Sequence, residues 1–399
     1  MIELLAPAGD LEKLKVAILY GANAVYIGGK KFSLRARASN FELDDIKEGV
    51  IFAHNHQAKV YVTMNIVPHD EDFDELEAYL RLLDSFDVDG IIVTSFYIAK
   101  VAKEVAPRLE RHLSTQFSAS NSETINQFKD WGFSRVVLAR EVGLTLIEQI
   151  IKKTDLELEV FIHGGMCVSY SGRCMLSNHM SNRDANRGGC AHSCRWNYQL
   201  LDVDNQKDSE TFDFAMGSRD LCGIRAIPKL IDLGVASLKI EGRMKSVYYI
   251  ATVVRGYRML IDEYVNTKTI KNYRFYEQEI AKAENRTTGS GFLFNNPSVS
   301  EQLYNNDDLI PTKEFIGVVL DYNKQTKYAK VQQRNYFQVG DNIEFFGPNK
   351  QNFVQSLDYL HDELGNDITE APHPLQIIYF KTSLPVVAGD MIRRANRKK

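Results

Sequence analysis

"LAPAGDLEKLKVAILYGANAVYIGG", residues 5–29, is the stretch from which the fold can be read. Its flanks, ELLAPA (3–8) and AVYIGG (24–29), are short apolar runs. The middle, DLEKLKVAILYG, sets Leu11, Leu14, Val16, Ile18 and Leu19 on one apolar face and stops at Gly21, the pattern of an amphipathic helix with a glycine terminator. Two apolar strands joined by such a helix form a parallel β/α/β unit, because the crossover must cover a face of the sheet.

The same alternation recurs downstream. KVYVTMN (59–65), GIIVTS (90–95), RHLSTQ (111–116), RVVLAR (135–140), LEVFIHG (158–164) and SLKIEGR (237–243) bring the strand-like runs to eight. Eight β/α units closing on themselves make a (β/α)8 TIM-like barrel. The competing open, doubly wound sheet lacks its usual support, since neither a G-x-G-x-x-G fingerprint nor a Walker A pattern occurs. In a barrel the strand C-termini share one mouth where function collects. Gly28, Asn65, Ser95, Gln116, Arg140, Glu141, His163, Glu241 and Arg243 are expected there. Each alone could be a cap or a buried hydrogen-bonded residue; together they suggest a site.

The crossover between the seventh and eighth strands is much longer than the others, which predicts an insertion over the mouth at about 165–236. The barrel spans 1–265 and a polar connector 266–313. From 314 to 399 the runs FIGVVLDYN, YAKVQQRN, DNIEFFG and LQIIYFKT alternate between turn signals, predicting a small C-terminal antiparallel β-barrel. The chain ends in RRANRKK, either a solvated tail or a phosphate-contacting arm.

The net charge of −4 gives no bulk sign of a nucleic-acid partner. With no leader-like N-terminus and no apolar run long enough to span a membrane, the expected location is cytoplasmic, where thiols stay reduced. All five cysteines, Cys167, Cys174, Cys190, Cys194 and Cys222, fall in the insertion with the spacing C-x6-C-x15-C-x3-C-x27-C. Such clustering favours coordination or redox chemistry over packing. The spacing matches neither zinc knuckles nor the ferredoxin run, so it points to a metal without naming one. A cysteine protease would need Cys167 beside a histidine such as His163 or His192. G-x-S-x-G and H-E-x-x-H are both missing.

EVFIHGGMCVSYSGRCMLS (159–177) resembles the signature of the collagenase-like peptidase family U32, matching at Glu159, Phe161, Gly164, Met166, Cys167, Gly172, Cys174, Leu176 and Ser177, with Gly165 where the pattern prefers Ser or Ala. FSLRARASNF, NRDANRGGCAHSCRW, SRDLC and SLKIEGRMKS also look like the family, so the resemblance covers residues 3–264. The branch it most resembles carries out prephenate-dependent tRNA hydroxylation. The resemblance therefore implies 5-hydroxyuridine synthesis at the wobble position, with the tRNA anticodon region as partner and a homologous subunit as a further one. It also implies a [4Fe–4S] cluster on Cys167, Cys174, Cys190 and Cys222, with Cys194 as the alternative fourth ligand. Peptidase activity is the alternative, and a zinc-stabilised binding scaffold a second.

Adding oxygen at a carbon whose hydrogen is not acidic requires a redox centre. The dicarboxylate prephenate calls for guanidinium forks, for which Arg35, Arg140, Arg173 and Arg243 are candidates. The bland role of each is a salt bridge to Glu241 or Glu141. His163 either orients a substrate or satisfies a buried carbonyl; Asn65 and Gln116 are expected to touch substrate. Tyr170 and Trp196 could stack on a splayed-out base.

Overall fold

The computed structural model describes residues 2–34, 40–199, 214–283, 286–303, 314–348 and 350–395. Arg35 therefore lies outside the described residues, as does the whole stretch from 200 to 213. In the remainder, all eight expected runs form strands: β1 (Glu3–Pro7), β2 (Ala24–Gly28), β3 (Lys59–Met64), β4 (Gly90–Val93), β5 (Glu110–Leu113), β6 (Arg135–Val137), β7 (Glu157–Gly164) and, after a short extra strand β8 (Asp220–Cys222), β9 (Ser237–Ile240). Neighbours along the barrel pair in parallel, and β9 pairs with both β7 and β1, which closes the ring. The expected TIM-like barrel is the observed one.

Helices α1 (Leu11–Leu19), α2 (Leu43–Asn55), α3 (Leu76–Ser85), α4 (Phe96–Val105), α5 (Ser122–Asp130) and α6 (Leu144–Ile151) cover the outside of the first seven strands. Their starts are chemically specified: the Asp10 and Asn121 side chains accept from the third backbone N–H of α1 and α5, satisfying donors that a helix leaves orphaned. Ser95 does the same for α4, so this expected mouth residue is a helix cap. The run RHLSTQ stays extended only to Leu113 and then tightens into a single 3-10 turn, Thr115–Phe117.

The barrel interior holds Leu5, Ala24, Tyr26, Tyr61 and Ile92 above a layer of charge. Within that layer Glu159 accepts from Lys239 at 2.6 Å and from Arg135 at 3.5 Å, and Arg135 also reaches Glu3 at 2.6 Å and Glu157 at 2.7 Å. Burial raises, and the Lys239 and Arg135 charges then lower, the Glu159 carboxyl, for a net lowering.

Between β8 and β9 comes α8 (Ile227–Asp232), and after β9, α9 (Val247–Thr267) closes the helical layer. The segment read as a polar connector contains α10 (Tyr273–Ala281), which packs on α9, and β10 (Thr288–Gly289), which pairs with β8. It thus returns part of the chain to the mouth. Beyond it, strands from Phe315–Asn323 to Met391–Arg394 form an eight-stranded antiparallel sheet curved round its own core of Ile316, Val319, Val331, Phe345 and Phe380. It is a half-barrel fastened to the first domain. Arg393 bridges Glu344 at 2.7 Å and Glu279 of α10 at 3.0 Å, Arg255 of α9 donates to the Gly347 and Lys350 carbonyls, and Tyr20 donates to the Gly389 carbonyl. Arg393 and Arg394, the first two residues of the terminal basic run, are buried strand residues, and residues 396–399 lie outside the described residues. No described helix is long and apolar enough to cross a membrane.

Candidate functional site

The insertion leaves the barrel at Gly164, where φ is +106° and a Cβ would meet the Glu241 backbone, a place only glycine fills without strain. It then folds back over the mouth through short helical turns at Tyr170–Gly172, α7 (Leu176–Ser181), Ala185–Arg187 and Ser193–Arg195. Left-handed backbone at Ser171, Asn182 and His192 turns the chain between them. Three side chains latch this roof to the barrel. Glu141 accepts from the Ser171 backbone N–H at 2.8 Å and its hydroxyl at 3.0 Å. Arg187 pairs with Asp72 at 2.5 Å and Glu71 at 3.2 Å. Arg195 donates to the carbonyls of Ser218 and Met166 at 2.7 and 2.8 Å and approaches Asp220.

Between roof and barrel lies a chamber of about 420 Å³. Its floor and walls include Tyr26, Thr63, Asn65, Gln116, Arg140, Phe161, Lys239, Glu241, Arg243 and Lys245, while Cys167, Cys174, Cys190 and Cys194 come from the roof. Burial, and behind it the neighbouring Cys167, Cys190 and Cys174, raises the Cys194 thiol against the lowering pull of Arg195. Each of those three sulfurs therefore lies near enough to Cys194 to act on it. Backbone and side-chain groups already address two of them: the Leu176 N–H donates to the Cys174 sulfur at 3.3 Å, and Ser169 Oγ lies 3.1 Å from the Cys167 sulfur.

Cys222 is not among the residues that line the chamber. It stands on β8 opposite His163 and packs against the barrel core. The geometry thus gathers Cys194, and not Cys222, with the other three. The reason is topological: β8 inserts as a strand beside β7, which holds Cys222 in the wall while the roof carries the other four over the mouth. Four thiols lining one chamber match in number and type the donors a [4Fe–4S] cluster would need. The described residues hold no group of three or more His, Cys, Asp or Glu spaced for a single ion; a cubane, with one thiolate on each of four irons, spreads its sulfurs wider.

The model of peptidase family U32 matches residues 9–303, and that of the family's C-terminal domain matches residues 311–393. The chain belongs to peptidase family U32. It is 46% identical over 398 residues to the tRNA hydroxylation protein P1 of Bacillus subtilis, covering 98% of the chain and 94% of that protein. It is also 39% identical over 267 residues to the 23S rRNA 5-hydroxycytidine synthase of Escherichia coli, covering 67% of the chain and 40% of the synthase. A collagenase of Porphyromonas gingivalis is 30% identical over 378 residues, with 91% and 90% covered.

In this U32 chain the expected site residues divide. Arg140, Glu241, Arg243, Asn65 and Gln116 line the chamber with the four thiols. Arg140 lies 3.9 Å from the Phe161 ring centroid and donates to the Gly165 carbonyl, while Glu241 accepts from the Gly165 N–H at 3.3 Å. Arg243 is held by Ser33 at 2.8 Å, Thr63 at 2.9 Å and Asn40 at 2.9 Å. Arg173 sits over the Phe117 ring at 5.8 Å, and Tyr170 is 54% exposed on the outside of the roof.

His163 is a correction. A register shift between Phe161 and His163 breaks the two-residue alternation that would have aimed it inward. Its ring packs instead against Tyr257 and Tyr249 of α9, with Nδ1 3.3 Å from the Tyr257 hydroxyl. Burial, then the Lys245 charge, push it down to about 3 against the pull of Glu241, so it is neutral at physiological pH. Lys239, Lys245, Arg195 and Arg286 also line the chamber and were not singled out from the sequence. Lys239 and Glu241 share the inward parity of the last barrel strand, a signal that was available. Arg286 comes from the supposed connector, where no local pattern marks it.

Proposed function

We propose that this protein is an RNA-hydroxylating enzyme that makes 5-hydroxyuridine at the wobble position of tRNA, with prephenate as co-substrate and a [4Fe–4S] cluster on Cys167, Cys174, Cys190 and Cys194. The observation that carries the reading is the convergence of four thiols on one wall of a cation-lined chamber. It is joined by 46% identity to a protein named for tRNA hydroxylation and by likeness to an rRNA 5-hydroxycytidine synthase. When bound, the cluster would supply the electron-transfer or Lewis-acid chemistry that oxygen insertion at pyrimidine C5 needs and that side-chain acids and bases lack.

The chain's own residues handle binding and positioning. Arg140, Lys239, Arg243, Lys245 and Arg286 face the chamber against the single carboxylate of Glu241 among its lining residues. That excess of positive charge suits a small dianion such as prephenate, and the planar guanidinium of Arg140 suits a carboxylate in particular. Arg243 is fixed by three side-chain acceptors, so it offers a rigid charge in place of a mobile fork. On the outside of the roof's helical turns, exposed Tyr170 and Trp196 are suited to stack on bases of a single-stranded loop.

The peptidase reading finds less support. His163, one candidate partner for a Cys167 nucleophile, is buried against α9, and the Cys167 sulfur has Ser169 as its near neighbour. The deciding experiment is iron, sulfide and zinc analysis with a visible spectrum on protein purified without oxygen, followed by nucleoside analysis of tRNA from a deletion strain. About four irons and four sulfides per chain and loss of 5-hydroxyuridine are expected. Stoichiometric zinc, or unchanged tRNA, refutes the reading.

A further inference from the structure

Most polar side chains of the chamber already have protein partners. Arg243 is held by Ser33, Thr63 and Asn40, Asn65 accepts from the Leu34 N–H at 3.2 Å, Lys239 pairs with Glu159, and Glu241 accepts from Gly165. Gln116 differs. It sits in the turn just beyond β5, is 5% exposed and lines the chamber. Its Oε1 is nevertheless buried with no hydrogen-bond partner among the described residues. Leaving such an acceptor unpaired is costly, so its retention in a chamber wall indicates a partner that arrives with the ligand.

We propose that Gln116 is a specificity residue that pairs with the N3/C4 edge of the target pyrimidine; this rests on the RNA-hydroxylation reading above. A carboxamide places an acceptor and two donors side by side. That array complements uracil, which offers the N3–H donor and O4 acceptor. After a half-turn of the amide it also complements cytosine, which offers the N3 acceptor and N4 amino donor. One side chain thus suits uridine and cytidine alike, in keeping with named relatives that act on tRNA and on an rRNA cytidine. Pairing along N3 and C4 leaves the C5–C6 edge uncovered, the edge that 5-hydroxylation must reach.

The test is a two-by-two cycle. Full-length protein purified without oxygen, wild type and Gln116→Met, is titrated with two anticodon stem-loop RNAs that differ only in carrying uridine or an abasic site at the wobble position. The wild type is expected to prefer the uridine RNA. Gln116→Met, similar in volume but with no polar amide, should bind that RNA about tenfold or more weakly while its affinity for the abasic RNA is unchanged. Its melting temperature should stay level or rise, because an unpaired buried polar group is gone; a structural glutamine would lower it. Gln116→Leu provides the same comparison should the methionine variant fold poorly. Equal weakening on both RNAs, no weakening, or a wild type indifferent to the base overturns the assignment of Gln116. A wild type that binds neither RNA refutes instead the RNA reading on which it rests.

Discussion

Replacing Glu159 by glutamine tests whether the charge layer beneath the chamber is held together as the structure indicates. Glu159 is fully buried and its carboxylate faces Lys239 at 2.6 Å and Arg135 at 3.5 Å. At an effective dielectric constant of about 20, those separations correspond to gross attractions of roughly 6 and 5 kcal/mol, most of which is offset by the cost of dehydrating the three groups. Removing one partner of a buried ion pair leaves the other charge uncompensated, for a net loss of about 3–5 kcal/mol. With an unfolding entropy of about 2.1 cal/mol/K per residue, a chain of 399 residues shifts by about 1.2 °C per kcal/mol. Glu159→Gln should therefore melt about 4–6 °C lower. Adding Lys239→Met removes the stranded ammonium and should restore most of that loss, because the cost of breaking a buried pair comes chiefly from the charge left uncompensated. Differential scanning calorimetry on the single and double variants reads both numbers. A single variant that melts within about 1 °C of wild type, or a double variant less stable than the single, refutes the reasoning.

Three further outcomes follow from the same geometry. Cys194→Ala should lose iron and visible absorbance on anaerobic purification, whereas Cys222→Ala should keep both; the reverse result would return the fourth ligand to β8. His163 should make stability fall with acid. The unfolded imidazole takes a proton below about 6.5 while the folded one waits until about 3, so stability is complete above the first value and declines through that window by up to about 5 kcal/mol. His163→Asn should flatten the decline in urea midpoints between pH 4 and 7, and an unchanged profile contradicts the assignment. Gly28→Ala would drive a methyl group into the Arg243 guanidinium and the Ser33 hydroxyl, so prephenate binding by calorimetry should weaken about tenfold or more with the barrel still folded; unaltered binding would remove Arg243 from the anion site.

The sequence by itself determined the barrel and the place of its insertion. Strands such as AVYIGG and KVYVTMN are apolar on both faces and bounded by helix caps and glycine stops, so burial on each side compels the same answer locally and globally. The cysteine-rich crossover was legible for a similar reason: residues so clustered must meet somewhere above β7. Which of them meet was a tertiary decision. Left-handed turns at Ser171, Asn182 and His192, with latches from Glu141, Arg187 and Arg195 to partners distant in sequence, bring Cys194 into the chamber. The pairing of β8 with β7 holds Cys222 out of it. His163 turns toward α9 because one irregularity in register reverses the face a strand residue presents, and residue type carries no mark of that. Arg393 reads as exposed from its charge alone, whereas Glu279 and Glu344, far away along the chain, supply the acceptors that let it be buried. Alternation and capping are short-range and survive in sequence; convergence of side chains from separate elements exists only once those elements have packed.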